Sequence, residues 1–271
     1  MNETIITSSK SWKDVWQELW DYKEVFLFLG WRDILVHYKQ TVIGILWVVI
    51  RPLLTVVIFT VIFSKIAGIQ TDGTPYALVV FVGMLAWQFF ADTLTYGSHS
   101  FIANVPLVSK VYIPRLMLPA SRLLCSFVDF SIVFLCYIFI AIFYYHVFFD
   151  FKILLLPIFL VWLGLFSFAV SLLFASLIVR YRDFRHIIPF AVQLGVYCTP
   201  VGFSLSMVPR NLQLLLALNP MTGITHGFRY CLISEKFCIE PLLISLMMSV
   251  LITMVSIVYF KSAEQQFADV I

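Results

Sequence analysis

Three charged side chains lie within apolar stretches that are long enough to span a bilayer: Arg51, Asp92 and Asp129. A charge deep in a bilayer is costly, so such groups are expected to face the protein interior and to have a partner. At 1.5 Å per helical residue, Arg51 and Asp129 lie about 14 and 9 Å from one membrane surface, and Asp92 is similarly deep. The pattern predicts a buried ion pair of Arg51 with Asp92 or Asp129. A wet path on which Arg51 contacts an anionic substrate is the alternative.

The residue patterns of most soluble active sites are missing from the chain. It contains no G-x-x-x-x-G-K-[ST] run, so it is not expected to hold ATP phosphates in a P-loop. His146 and Asp150 stand four apart, one short of the spacing found in many acyltransferases. The five cysteines form no C-x-x-C pair, which predicts neither a disulfide framework nor a metal site. Cys231 and Cys238 could form a bridge only if their loop is extracytoplasmic.

The composition indicates a membrane protein. Of the 271 residues, 61% are hydrophobic and 12% are charged, and the net charge is +3. Soluble domains carry about 25% charged residues, so this chain cannot cover a water-facing surface. The small net charge argues against a nucleic-acid partner. We therefore predict an all-α polytopic membrane protein, with membrane lipids as its surroundings.

Six apolar stretches meet the length of roughly 20 residues that a transmembrane helix needs. They cover residues 42–63, 76–97, 123–145, 153–179, 187–207 and 242–260. An even number of spans places both termini on one side. Twelve of the 18 lysines and arginines fall on that side, which predicts cytoplasmic termini.

The segment before the first span has helical periodicity. Trp12, Trp16 and Trp20 share one face, and Lys13 and Glu18 lie on the other. Residues 10–28 are therefore predicted to form an interfacial amphipathic helix in the headgroup layer. A packed cytoplasmic helix is the alternative.

Two loops have unusual composition. Residues 100–116, on the cytoplasmic side, are basic and partly apolar and are broken by Pro106 and Pro114, which suits docking on a soluble partner. A plain turn on the membrane surface is the alternative. Residues 209–240 contain two apolar pieces, 211–218 and 224–233, each too short to span. They are predicted to be re-entrant half-helices that lie against protein or line a wet cavity.

Several runs resemble a known family. They are Arg32-Asp33, Tyr38-Lys39-Gln40-Thr41-Val42-Ile43-Gly44-Ile45-Leu46-Trp47, Pro52-Leu53, Arg180-Tyr181-Arg182-Asp183, Asn219-Pro220-Met221-Thr222-Gly223, Gly227-Phe228-Arg229 and Phe267-Ala268-Asp269. In this order and at these places in the topology, they resemble the ABC-2 type permeases that export polysaccharides such as O antigen, capsule and teichoic acid. The resemblance covers nearly the whole chain and implies a single transmembrane domain over residues 1–271.

The resemblance implies a bacterial inner-membrane transport subunit rather than an enzyme. Such a subunit pairs with a second copy of itself and with two ATP-binding subunits, which bind ATP and Mg²⁺, while the permease binds no cofactor. The substrate would be a polysaccharide linked to undecaprenyl diphosphate. Two alternatives stay open. One is an ABC-2 permease for drug or lipid efflux, and the other is a membrane-embedded transferase that acts on the lipid carrier.

The resemblance also implies roles for individual residues. The coupling segment that docks on the ATPase would use Val105, Val108, Lys110, Val111, Tyr112 and Arg115, supported by Arg182 and Asp183. The periplasmic gate would use Asn219, Pro220, Gly223, Phe228 and Arg229. Aromatic faces bind sugar rings weakly, as a conduit requires. The predicted substrate channel is lined by Trp47, Arg51, Phe59, Trp87, Phe90, Phe190 and Tyr197. For each aromatic ring, a core or lipid-facing position is the alternative.

Overall fold

The computed structural model describes residues 17–18, 20–39, 45–68, 73–108 and 110–264, and the regular elements in this part of the chain are all helical. The helices are α1 (Lys23–Lys39), α2 (Ile45–Phe59), α3 (Tyr76–Ser98), α4 (Ser100–Ala103), α5 (Val105–Val108), α6 (Met117–Phe143), α7 (Leu156–Arg180), α8 (Phe184–Cys198), α9 (Arg210–Ala217), α10 (Pro220–Ile233) and α11 (Ile239–Glu264). Helix α2 continues as a π-helix over Thr60–Ile66, and 3-10 turns cover Phe151–Leu155 and Leu205–Met207.

Five helices in the described part are long and apolar enough to cross a membrane: Ile45–Ile66, Tyr76–Ser98, Met117–Phe143, Phe151–Arg180 and Ile239–Glu264. They coincide with five of the six predicted stretches. The exception is the stretch 187–207, because α8 has only 15 residues. At 1.5 Å per residue it is about 22 Å long, shorter than the hydrocarbon core of about 30 Å.

Helix α8 ends early for a local reason. Thr199 precedes Pro200, and the proline ring disfavours the α conformation for the residue before it. Thr199 is accordingly extended, with φ −104° and ψ 141°. The chain then passes through an irregular turn to the 3-10 turn Leu205–Met207. Residues 187–207 therefore do not form one continuous helix, and the predicted count of six spanning helices is not confirmed.

Helix α3 is the centre of the structure and is buried along most of its length. It packs against α2, α6, α7 and α10. Large aromatic side chains fill these contacts. Phe90, for example, stacks on Phe166 of α7 with ring centroids 5.6 Å apart. Any side chain of α3 that reaches a cavity is consequently held on a rigid support.

Helix α1 differs from the predicted interfacial helix in its bounds. It begins at Lys23 and ends at Lys39, so it extends well beyond the predicted end at residue 28. Of the three predicted interfacial tryptophans, Trp20 is exposed, whereas Trp12 and Trp16 lie outside the described residues. An exposed apolar stripe runs along α1 at helical spacing, with Leu27, Trp31 and Leu35. This stripe faces away from the protein, as expected of a helix that contacts lipid.

Candidate functional site

Two cavities flank α3. The first, called cavity A, has a volume of about 280 Å³ and lies between α1, α2, α3 and α6. Its polar lining includes His37, Arg51, Gln88, Asp92 and Asp129. Thus the three charges that the sequence placed at similar depth line one cavity.

The second cavity, called cavity B, has a volume of about 300 Å³ and lies between α2, α3 and α8. Phe59, Trp87 and Tyr197 line it. Trp87 sits close to α8 because the neighbouring position is Gly195, where a Cβ atom would lie 2.4 Å from the indole ring. Gln88 and Asp92 line both cavities and therefore form the wall between them.

The predicted ion pair is corrected by the structure. Asp129 accepts a hydrogen bond from the Tyr38 hydroxyl, and its other oxygen lies 3.6 Å from Nε2 of His37. Asp92 accepts hydrogen bonds of 2.9 Å at both oxygens from Nε2 of Gln88. Arg51 is exposed and, among the described residues, has no carboxylate oxygen within 4.0 Å. The partners of Asp129 come from α1, which the sequence did not place beside α6.

His37, Cys125 and Asp129 could together hold a metal ion, since their ligand atoms lie within 4.8 Å of one another. Both oxygens of Asp129 already have a protein partner, so the cluster also serves as a polar contact between α1 and α6. Burial of the Tyr38 hydroxyl and its hydrogen bond to Asp129 raise the pKa of this phenol. Tyr38 therefore keeps its proton and holds the Asp129 carboxylate in place as a hydrogen-bond donor.

The structure brings together five of the seven predicted channel residues. Trp47 and Arg51 line cavity A, whereas Phe59, Trp87 and Tyr197 line cavity B. The other two lie elsewhere. Phe90 is buried in the core, and Phe190 of α8 is 61% exposed and is not among the residues that line either cavity.

The predicted coupling segment consists of two helical turns, α4 and α5, followed by an irregular stretch, in agreement with the spacing of its prolines. Phe101 anchors it by stacking on Phe260 of α11. Lys110, Val111 and Tyr112 are exposed. Arg115 donates a hydrogen bond to the carbonyl oxygen of Glu264.

The remaining predicted coupling residues lie in the coupling segment and at the turn between α7 and α8. Val105 is half-buried, and the side chain of Val108 lies outside the described part. Arg182 and Asp183 are exposed at the turn between α7 and α8. Since α4 packs against α7, this turn and the coupling segment occur toward the same end of the helices.

Asp33 forms a polar network that sequence reasoning missed. Its carboxylate is buried and accepts hydrogen bonds from Arg32 at 2.7 Å and from Ser121 at 3.1 Å. It also lies 3.0 Å from Nε of Arg122. Arg32 in turn donates to the side chain of Asn104, between α4 and α5, at 2.8 Å. The network joins α1, the coupling segment and α6. Its sequence signal is the pair Arg32-Asp33, which had no assigned role.

The predicted gate residues lie within the protein. Helix α10 begins at Pro220, and the side chain of Asn219 caps it by accepting a hydrogen bond from the N–H of Met221 at 3.0 Å. At Gly223 a Cβ atom would lie 2.5 Å from that of Ser245, so glycine permits close contact between α10 and α11. Phe228 is buried against Phe130 of α6.

Arg229 is fully buried and binds backbone oxygens. Its guanidinium donates to the carbonyl of Val79 at 3.2 Å, of Val201 at 2.7 Å and of Phe203 at 2.6 Å. A carboxylate oxygen of Glu235 lies 4.0 Å away. These bonds hold the irregular turn after α8 against the beginning of α3, so Arg229 positions backbone rather than lining an opening.

Comparison with known proteins identifies the family. Residues 24–233, from α1 to the end of α10, match the family described as ABC-2 type transporter. The chain belongs to the ABC-2 type transporter family. It is therefore a multi-pass membrane permease of an ABC transporter rather than an enzyme in its own right, and the family implies a partnership with ATP-binding subunits.

Individual ABC-2 relatives are similar over most of their length. The chain is 27% identical over 244 residues to an O-antigen export system permease protein RfbA of Klebsiella pneumoniae. The alignment covers 89% of this chain and 92% of the relative. It is 26% identical over 259 residues to a protein of the same name from Myxococcus xanthus, in an alignment that covers 93% of this chain and 97% of the relative. The family match over residues 24–233 includes both cavities, the coupling segment and the Asp33 network.

Proposed function

We propose that the chain is the membrane subunit of an ATP-driven exporter that moves a polysaccharide such as O antigen, linked to undecaprenyl diphosphate, out of the cytoplasm. The relatives named as O-antigen export permeases support this proposal. The structural observation that carries it is the convergence of Trp47, Phe59, Trp87 and Tyr197 on two cavities. Aromatic faces beside polar groups are suited to sugar rings that must bind weakly and move on.

The conduit requires a second copy of the chain. Helices α2 and α8 flank cavity B and leave aromatic surface uncovered, with Trp47 46% exposed and Tyr197 65% exposed. A facing copy would cover these rings and close both cavities into one path. We therefore propose that the functional permease is a homodimer in which α2, α3 and α8 surround the path.

Energy would come from two ATP-binding subunits that bind ATP and Mg²⁺, while this chain contributes the docking surface. The exposed side chains of Lys110, Val111 and Tyr112 form that surface, and Arg182 and Asp183 lie toward the same end. Asn104 connects the coupling segment to Arg32 and Asp33. Movement of the ATP-binding subunits would in this way reach α1 and α6.

The topology that fits this function has six crossings in the bacterial inner membrane, with both termini in the cytoplasm. Helix α8 and the turn that Arg229 holds would together make the fifth crossing. Helices α9 and α10 would lie on the periplasmic side of the path as the gate. Their re-entrant placement is supported by α10, which is buried along nearly its whole length.

Arg51 is the residue best suited to the anionic part of the substrate. It lines cavity A, is exposed, and has no acidic partner within 4.0 Å among the described residues. A guanidinium binds phosphate oxygens through paired hydrogen bonds. We therefore assign it to the diphosphate of the lipid carrier.

Deletion of the gene in its host tests the function. We expect full-length lipid-linked polymer to accumulate on the cytoplasmic side of the membrane and to disappear from the cell surface. Surface polymer should return when the wild-type gene is restored. A permease for drugs or lipids would leave surface polymer unchanged. A transferase would instead change the structure of the lipid-linked material, so either result would refute polysaccharide export.

A further inference from the structure

We propose that Gln88 and Asp92 form a binding site for sugar hydroxyl groups within the conduit, at the wall shared by cavities A and B. This inference rests on the proposed function and names the polar contact that the substrate would make. The sequence had assigned Asp92 to an ion pair with Arg51 and had given Gln88 no role.

The hydrogen bonds between these two residues stay within one helix. Gln88 and Asp92 lie one turn apart on the same helix, α3, and Nε2 of Gln88 is 2.9 Å from each carboxylate oxygen. A glutamine and an aspartate at this spacing stabilise their own helix only slightly, whereas the bond between Tyr38 and Asp129 joins two helices. The pair of Gln88 and Asp92 links no second element.

The charge of Asp92 indicates a wet environment. Asp92 lies six residues before the end of α3 at Ser98, about 9 Å along the helix axis. No lysine, arginine or histidine nitrogen lies within 4.0 Å of it in the described part of the chain. Arg51 lines cavity A with Asp92 but lies beyond this distance, and a carboxylate at this depth with no cation in contact is costly unless water or a polar ligand reaches it. Its position on both cavities provides that access.

The remaining bonding capacity of the pair matches sugar chemistry. The two carboxylate oxygens have free lone pairs beyond those used by Gln88, and the Gln88 carbonyl oxygen is a further acceptor. Sugar hydroxyls are donors that can fill these positions. Trp47 on one side and Trp87 on the other supply aromatic surface for C–H faces. A phosphate, by contrast, would be repelled by Asp92 and attracted by Arg51.

The size of the cavities agrees with this ligand. Volumes of about 280 and 300 Å³ lie at the small end of the range for ligand pockets. Each therefore suits one sugar unit of a chain rather than a folded oligomer. The pair lies on the wall shared by the two cavities. A sugar unit bound there can therefore move on into cavity B while the next unit of the chain enters cavity A.

Substrate response in the complete transporter tests the site. The permease and its ATP-binding subunits, reconstituted in lipid nanodiscs, are titrated with undecaprenyl-diphosphate-linked polymer extracted from the host, and ATP hydrolysis is followed. We expect Asp92→Asn and Gln88→Ala each to raise the polymer concentration at half-saturation by about three- to tenfold, the value of one or two net hydrogen bonds. Asp150→Asn, at an exposed carboxylate away from both cavities, is the matched control and should leave it unchanged.

Labelling tests the wet environment without depending on transport. In a variant whose native cysteines are replaced, Asp92→Cys should react with a charged, membrane-impermeant thiol reagent, and bound polymer should slow the reaction. Ala86→Cys, on the buried face of the same helix, should stay unlabelled.

The outcomes separate the two proposals. If the wild-type complex responds to polymer and Asp92→Asn and Gln88→Ala behave identically to it, the sugar site is refuted and the export function stands. If Asp92→Cys is as unreactive as Ala86→Cys, the wet path at this position is refuted. If the wild-type complex does not respond to polymer, the export function fails, and the sugar site fails with it.

Discussion

The guanidinium of Arg229 donates a 2.7 Å hydrogen bond to the carbonyl oxygen of Val201, in the turn where α8 has already ended. Irregular backbone leaves polar groups without partners, and within a membrane protein these must be satisfied by other protein groups. Arg229 satisfies three carbonyl oxygens, and the Tyr76 hydroxyl satisfies that of Gly202 at 2.5 Å. Helix α8 can therefore end early because the buried Arg229 satisfies carbonyl oxygens of the turn that follows it.

Replacing Arg229 should destabilise the permease. Arg229→Leu leaves three carbonyl oxygens without this donor and removes the positive charge 4.0 Å from Glu235, and breaking a buried charge pair costs about 3–5 kcal/mol. Arg229→Lys should fall between wild type and Arg229→Leu, because an ammonium group cannot reproduce the planar fork. The melting temperature in detergent measures the effect. The control is Arg210→Leu, which removes an exposed ion pair with Glu240. Equal melting temperatures for Arg229→Leu and Arg210→Leu would contradict this role.

Asp33→Asn should reduce coupling between ATP hydrolysis and export. The substitution keeps the shape of the side chain but leaves Arg32 and Arg122 close together without the carboxylate between them. We expect ATP hydrolysis by the complex to continue while polymer exported per ATP falls several-fold. Both rates are measured in proteoliposomes. Asp21→Asn, at an exposed acid near the start of α1, is the control. An unchanged ratio in Asp33→Asn would show that the network only supports the fold.

Arg51→Leu separates the two interpretations of this arginine. Because Arg51 is exposed and has no carboxylate within 4.0 Å in the described structure, we expect the melting temperature to stay at the wild-type value. Export should nevertheless fall, and Arg51→Lys should retain part of it, since lysine still carries the charge. A large fall in the melting temperature of Arg51→Leu would instead favour the interpretation that Arg51 belongs to a buried ion pair.

Cross-linking locates the ATPase docking surface. Val111→Cys and Tyr112→Cys place a thiol at exposed positions of the coupling segment and should form cross-links to the ATP-binding subunit in membranes. Phe148→Cys is 90% exposed after the opposite end of α6 and should form none. Cross-links from Arg182→Cys with none from the coupling segment would move the docking surface to the turn between α7 and α8.

Features that depend on uniform apolarity were predictable from the sequence. The five long helices follow from runs of apolar residues, and the prolines of the coupling segment limit its helices to short turns. The end of α8 was missed because the run of apolar residues continues beyond it, whereas Thr199 and Pro200 decide the local conformation. Hydropathy reports the solvent around a segment and does not report where its backbone stops being helical.

Pairing between distant residues was not predictable. Depth along each span correctly placed Arg51, Asp92 and Asp129 on one cavity, but it could not show that α1 supplies His37 and Tyr38 to Asp129. The resemblance implied that Arg229 belongs to the gate, but it could not show which groups the side chain binds. Its actual partners, such as Val79, are 150 residues away in the chain.

The Asp33 network also constrains how the protein is made. Asp33 leaves the ribosome 88 residues ahead of Ser121, and its second charged neighbour, Arg122, follows directly after Ser121. Chains are synthesised from the N-terminus, at about 5–20 residues per second. The carboxylate of Asp33 can therefore reach Ser121 and Arg122 only after α6 has emerged. Contact between α1 and α6 through this network is thereby postponed until the third long helix has been made.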